Sequence, residues 1–149
     1  MGGAGIDTMG SKLIDPTKDL YQQLRLVEQP ARYVGGEWGR TVKTDRRLLR
    51  IAVAFPDLYE VGMSNTAIKL LYGRLNTIPY VACERVFVPA PDFENELERS
   101  AIPLYTLETG TPLKDVDVIA ITFGYELLAT NVLSLLKLGG IAVRAVDRV

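Results

Sequence analysis

The sequence predicts an α/β fold built around an open, mostly parallel, doubly wound sheet. Continuous apolar runs over residues 49–55 and 117–123 are typical of strands that are buried on both faces, as parallel strands are. A stretch with helical periodicity follows each run, and alternating strands and helices form short right-handed crossovers. We therefore expect helices on both faces of the sheet, in a Rossmann-like arrangement.

The elements are predicted in the order β-α-β-α-β-α-β from residue 48 onward. They are the strand 49–55, a helix from the N-cap Ser64 to Asn76, the strand 81–89, a short helix capped by Asp92, the strand 117–123, the helix 126–138 and the strand 141–146. The glycine pair 139–140 is expected to end the helix 126–138 in left-handed geometry.

A helix and an extended arm are predicted ahead of the sheet. Asp15 and Pro16 suit the N-cap and first position of a helix to about Val27. Segments 32–34 and 41–43 are β-prone and flank a glycine-rich link, which predicts a hairpin that covers one edge of the sheet. Trp38 in this link is alternatively an interface anchor.

This reading divides the chain into three parts. They are a flexible start (1–14), an N-terminal helix and β-arm (15–47) and an α/β domain (48–149). We expect the sheet to continue past Val149, so that the chain is part of a longer one.

Composition excludes several kinds of chemistry. The chain has no histidine and one cysteine, Cys83, so it cannot form a Ser-His-Asp triad, a histidine-ligated zinc site or an iron–sulfur site. No nucleophile lies beside a base, and we expect no catalysis by this chain alone. The net charge of −1 implies no DNA partner. No apolar stretch is long enough to span a membrane, and no signal peptide is present, so a cytoplasmic protein is expected.

Two loops are candidates for a ligand site. In open α/β sheets ligands bind beyond the carboxyl ends of the strands. The loop after the first strand reads FPDLYEVGMS, and the loop after the strand 117–123 reads TFGYELLATN. If these strands are neighbours, candidate residues of both loops converge on one rim: Asp57, Tyr59, Ser64, Thr122 and Tyr125.

The spacing Asp57-x-Tyr59-x-x-Gly62 has the layout of the D-x-H-x-x-G motif of cobalamin-binding domains, with tyrosine in place of histidine. Further blocks in the same order carry the resemblance: PARYVGGEW, ERVFVPAPDFE, IPLYTLETGTPL and DVDVIAITFGYELLATNVLSLL. Together they resemble the N-terminal cobalamin-binding-like domain of a bacterial radical SAM protein family. The resemblance runs from about Pro30 to the end of the sequence.

The resemblance implies cobalamin between this domain and a catalytic barrel. Asp57, Tyr59 and Gly62 map onto the loop that faces the lower side of the corrin. Three residues of the second loop would flank the nucleotide tail: Thr122, Gly124 and Tyr125. The family's CxxxCxxC motif is absent from the sequence, so S-adenosylmethionine and the 4Fe–4S cluster are expected only in a C-terminal catalytic part.

Tyr59 departs from the family pattern. A phenol with an ordinary pKa of about 10 is mostly protonated and is a poor cobalt ligand. Any cobalamin is therefore expected to lack imidazole ligation from this chain. Tyr59 would instead shield the cobalt face or bind a water molecule.

Two other functions are open at this point. A degenerate, non-binding domain would act as a scaffold against its own radical SAM domain, or would bind a protein or RNA partner through Trp38 and the rim loops. A free-standing flavodoxin-like module for a nucleotide or flavin ranks last, because the loop 55–64 has one glycine and no basic residue for phosphate.

Overall fold

A three-stranded, all-parallel sheet forms the centre of the protein. The computed structural model describes residues 12–148. The strands are β1 (Leu49–Phe55), β2 (Val81–Phe87) and β3 (Val118–Ile121), in the spatial order β2-β1-β3. The register pairs Leu49 with Val81 and Ile51 with Val118. This arrangement confirms the predicted α/β class and makes β1 the central strand.

Helices cover both faces of the sheet. They are α1 (Pro16–Asp19), α2 (Tyr21–Leu24), α3 (Tyr59–Ser64), α4 (Thr66–Asn76), α5 (Pro91–Arg99) and α6 (Ala129–Leu138). Short 3-10 turns lie at Pro30–Arg32, Leu113–Asp115, Glu126–Leu128 and Ala145–Asp147. No helix within residues 12–148 is long and apolar enough to cross a membrane.

Alternation along β1 separates two hydrophobic clusters. Val53 points to one face, where it packs with Ile68 and Tyr72 of α4. Ala52 and Ala54 point to the other face, into a larger cluster that includes leucines of α2, α5 and α6. All three β1 side chains are inaccessible to solvent, as expected for the central strand of a parallel sheet.

Two predicted helix caps are wrong. Asn65, not Ser64, caps α4, and its side chain accepts a hydrogen bond from the Ile68 amide at 3.2 Å. Ser64 is the last residue of α3, and its hydroxyl donates to the Val61 carbonyl instead. The helix α5 begins at Pro91, whose fixed φ suits the first helical position, so Asp92 lies inside its first turn.

The N-terminal helix is shorter than predicted. Asp15 is its N-cap, accepting from the Thr17 amide at 3.1 Å, but the helix breaks at Leu20 and ends at Leu24. Most of the start predicted as flexible, residues 1–14, lies outside the described residues. The proposed domain boundaries remain predictions.

The predicted hairpin does not form. Residues 33–47, here called the strap, contain no strand and cross the outer edge of β2 and α4. Hydrogen bonds that involve side chains take the place of the backbone bonds of a hairpin. The Tyr72 hydroxyl accepts from the Thr41 amide at 2.7 Å, and the Lys43 ammonium donates to the Asn76, Ile78 and Val81 carbonyls. Backbone groups that find such partners need no second strand.

The strand predicted over 141–146 is also absent. Gly140 ends α6 with a φ of +69°, as expected, but the chain then folds into the turn Ala145–Asp147. The Arg148 guanidinium donates back to the Ala142 and Val143 carbonyls, which closes this segment on itself. The segment therefore forms a turn in place of a fourth strand.

Candidate functional site

The carboxyl ends of β1 and β3 lie side by side. The strand β2 lies on one side of β1, and β3 lies on the other. The crevice between β1 and β3 is therefore the point where the strand order reverses. Ligands of open α/β sheets bind at such points. The Thr122 amide and hydroxyl both donate to the Ala54 carbonyl, at 3.0 and 3.2 Å, and join the two strand ends.

Asp57 shapes the turn that leaves β1. Its carboxylate accepts from the Leu58 amide at 2.8 Å, and its carbonyl accepts from the Val88 amide at 3.1 Å. The Asn131 amide of α6 donates to the neighbouring Pro56 carbonyl at 2.9 Å. The loop after β1 is therefore tied both to the end of β2 and to the helix that follows β3.

Tyr59 packs towards β2. Its ring meets Phe87 edge-on with 5.6 Å between centroids, and its hydroxyl donates to Glu37 Oε1 at 3.1 Å. Burial raises the pKa of Tyr59 to about 12, and the charge and hydrogen bond of Glu37 act in the same direction. The phenol is consequently neutral at physiological pH.

Gly62 is required by packing. A Cβ at this position would lie 2.1 and 2.3 Å from ring carbons of Phe87 and 3.3 Å from Phe55. The absence of a side chain lets α3 sit directly on the ends of β1 and β2. Gly62 and Tyr59 thus form one closed unit with Phe87.

The loop after β3 is open. A Cβ added to Gly124 would meet nothing within 4 Å. Three large apolar side chains nearby are solvent-exposed: Phe123 (56%), Tyr125 (51%) and Leu127 (82%). This loop provides apolar surface and free space at the crevice between β1 and β3.

The predicted site residues therefore fall into two groups. Tyr59 and Gly62 lie with Phe87 on the β2 side and are packed. Thr122, Gly124 and Tyr125 belong to the β3 side, where the loop is open. Asp57 lies between the groups, and Ser64 is turned into its own helix by its bond to Val61.

A buried network of charged side chains is connected to Tyr59 through Glu37, and it was not predicted from the sequence. Arg85 Nε donates to Glu108 Oε1 at 2.7 Å, and Arg85 Nη2 donates to Glu37 Oε2 at 3.3 Å. The guanidinium also lies 4.4 Å from the Tyr72 ring centre. Burial raises the pKa of Glu108, against the opposing effect of Arg85. Charged residues inside the apolar run of β2 were the signal that could have revealed this network.

The closed side of the rim has very little internal space. A cavity of about 20 Å³ is lined by Tyr33, Tyr59, Phe87 and Tyr105, among others. A water molecule needs roughly 10–15 Å³ measured this way. The cavity therefore has room for about one water molecule and none for a cofactor ring.

These residues do not fit cobalt ligation. Within residues 12–148 no group of three histidine, cysteine, aspartate or glutamate side chains could hold a metal ion. Tyr59 keeps its proton and donates it in a hydrogen bond to Glu37. The β3 side offers open, apolar surface around Gly124, where an added Cβ would meet no atom within 4 Å.

Comparison with known proteins identifies a family. The family model described as "Radical SAM proteins, N-terminal" matches residues 67–149, more than half of the chain. The match begins in α4 and includes β2, β3 and α6, while the loop with Asp57, Tyr59 and Gly62 precedes it. No curated protein and no solved structure matches the chain.

Proposed function

Because the chain belongs to the family of radical SAM protein N-terminal regions, we propose that it is the accessory α/β domain of a radical SAM enzyme and holds cobalamin without supplying a cobalt ligand. The observation that carries this proposal is the open rim at the reversal point between β1 and β3. The catalytic part of the enzyme would bind S-adenosylmethionine and the iron–sulfur cluster. This domain would bind the cobalamin and orient it.

Each group of residues has a role in this proposal. Gly124 leaves space for the ligand, and the Tyr125 ring offers it an apolar contact. Thr122 keeps the two strand ends together through Ala54. The packed unit of Tyr59 and Gly62 closes the floor on the β2 side. Bound cobalamin would supply the enzyme with a methyl carrier or a partner for radical chemistry.

Titration with hydroxocobalamin tests the proposal. We expect the protein to bind it, measured by equilibrium dialysis as cobalamin retained with the protein, because contact without a cobalt ligand need not change the visible spectrum. Gly124→Leu fills the free space and should weaken binding at least about tenfold, roughly 1.4 kcal/mol. Gly73→Leu is the matched control, because Gly73 also has nothing within 4 Å of an added Cβ but lies in α4. No retention of cobalamin at high protein concentration, or equal affinity of both variants, would count against the proposal.

A second candidate function is a scaffold that binds no cofactor. It is favoured by the self-contained loop after β1 and by the exposed apolar side chains of Phe123 and Leu127. In this case the rim would dock directly on the radical SAM domain of the same enzyme. Burial of such side chains stabilises an interface, since each is worth about 1.5–3 kcal/mol when fully buried.

The scaffold is tested by mutating the rim. Phe123→Ser with Leu127→Ser should abolish co-purification with a separately expressed radical SAM domain, whether or not cobalamin is present. Leu70→Ser is the control, because the exposed fraction of Leu70 (67%) lies between those of Phe123 and Leu127, but Leu70 lies on α4. Retention of the complex by the rim variant would refute docking through this surface.

A further inference from the structure

The strap carries a glutamate into the candidate site. Gly35, Gly36 and Gly39 have φ values of +64°, +90° and +78°, which only glycine adopts easily. A Cβ on Gly35 would lie 2.3 Å from the Leu107 carbonyl oxygen, so the strap approaches the backbone closely there. These turns bring Glu37 against α3 and β2, while the adjacent Trp38 is fully exposed.

The Glu37 carboxylate is bound through both of its oxygens. Oε1 accepts from the Tyr59 hydroxyl at 3.1 Å, and Oε2 accepts from Arg85 Nη2 at 3.3 Å. Its side chain is only 12% exposed. Arg85 is held in turn by the fully buried Glu108, which also accepts from the Arg85 amide at 2.6 Å.

We propose that Glu37 is a positioning residue that holds the Tyr59 phenol edge-on to Phe87 and keeps its oxygen away from the rim. The importance of this role rests on the function proposed above. A ligand at the rim would meet a ring surface on this side and no free oxygen. The strap thereby keeps the Tyr59 oxygen from serving as a ligand to a metal-bearing cofactor.

The charges around the Tyr59 phenol make this role measurable. Glu37 of the strap and Glu60 of α3 raise the pKa of Tyr59, and Arg85 of β2 lowers it. Glu37 also forms the hydrogen bond. Removal of its charge leaves Arg85 facing the phenol, so the pKa of Tyr59 must fall.

The test is a titration followed by fluorine NMR. The seven tyrosines are replaced by 3-fluorotyrosine, because its lower intrinsic pKa moves the titration to a lower pH. Tyr59→Phe assigns the signal. We expect Glu37→Gln to lower the titration midpoint of Tyr59 by about 1 pH unit. Glu60→Gln is the matched control and should move it much less, because Glu60 bonds Arg32 and not the phenol.

A second measurement, on Tyr59→Phe, tests the inference even if Glu37→Gln does not fold. Tyr59→Phe removes the same hydrogen bond from the other side, and we expect the hydrogen-bonded amides of residues 40 and 41 to exchange several-fold faster. Tyr80→Phe, at an exposed tyrosine, should leave them unchanged. An unmoved Tyr59 midpoint in Glu37→Gln, or unaltered exchange in Tyr59→Phe, overturns the inference. Neither measurement uses cobalamin, so failure of the wild-type protein to bind hydroxocobalamin would overturn only the proposed function.

Discussion

Single residues of β2 show how this protein accommodates charge in its interior. Glu84 is 1% exposed, and it binds Arg50, Thr106 and Thr109. Buried ionic groups are strongly destabilising when one partner is removed, so each of them must be fully bonded. Within residues 12–148 no buried side-chain nitrogen or oxygen lacks a partner. The buried charges of β2 are therefore stabilised by the hydrogen bonds and ion pairs that surround them.

Replacement of Gly62 by alanine tests how α3 packs on Phe87. Gly62→Ala should lower the free energy of unfolding by about 1–3 kcal/mol, because the new methyl group would overlap the Phe87 ring. The measurement is urea unfolding followed by circular dichroism. Gly73→Ala in α4 is the control and should raise the stability by up to about 1 kcal/mol, since its Cβ has free space and alanine favours the helix. Equal stability of Gly62→Ala and wild type would show that α3 does not pack on Phe87.

At the scale of elements, β2 is an edge strand whose outer edge is closed. The Asn76 amide group bonds both the amide and the carbonyl of Cys83, at 3.1 and 3.0 Å. Glu108 accepts from the Arg85 amide, and the Leu107 amide donates to the Arg85 carbonyl. Lys43 binds the Val81 carbonyl. Covered edges resist pairing with other chains, so a further strand could add only beside β3.

Asn76 gives a prediction for this edge. Asn76→Ala leaves a buried amide and a buried carbonyl of Cys83 without partners, which should cost about 1–3 kcal/mol of stability. The variant should also aggregate more readily in light scattering, because the exposed edge can pair with another molecule. Lys69→Ala, on the exposed face of the same helix, should change neither property. If Asn76→Ala matched that control, the side chain would not be closing the edge.

At the scale of the whole molecule, the sheet separates a large cluster from a small one. The small cluster, with Cys83, Val53 and Ile68, is covered mainly by α4. Burial raises the pKa of the Cys83 thiol to about 12, and the charges of Glu108 and Glu84 add to this. The reactive thiolate is therefore scarce in the folded protein at neutral or mildly alkaline pH.

Cys83 should report the opening of the whole fold. At pH 8 we expect almost no labelling by a thiol reagent in native buffer and complete labelling in concentrated urea, with a midpoint that coincides with unfolding measured by circular dichroism. The sign follows from the raised pKa, because unfolding returns the thiol to its ordinary value near 8.5. Lys69→Cys in a Cys83→Ala background should label at once in native buffer. Rapid native labelling of Cys83 would mean that α4 opens without global unfolding.

The sequence by itself determined the three strands, the class of the fold and most helices. These features rest on local apolar periodicity, which the chain expresses over a few residues: the prediction 49–55 coincides with β1, and 81–89 and 117–123 contain β2 and β3. Only the tertiary structure decided the strap, the absent strand at 141–146 and the division of the candidate site. Glu37 and Tyr59 meet across 22 positions of chain, and Arg85 and Glu108 across 23. No local pattern encodes such contacts, because they arise only when distant segments pack against the same edge.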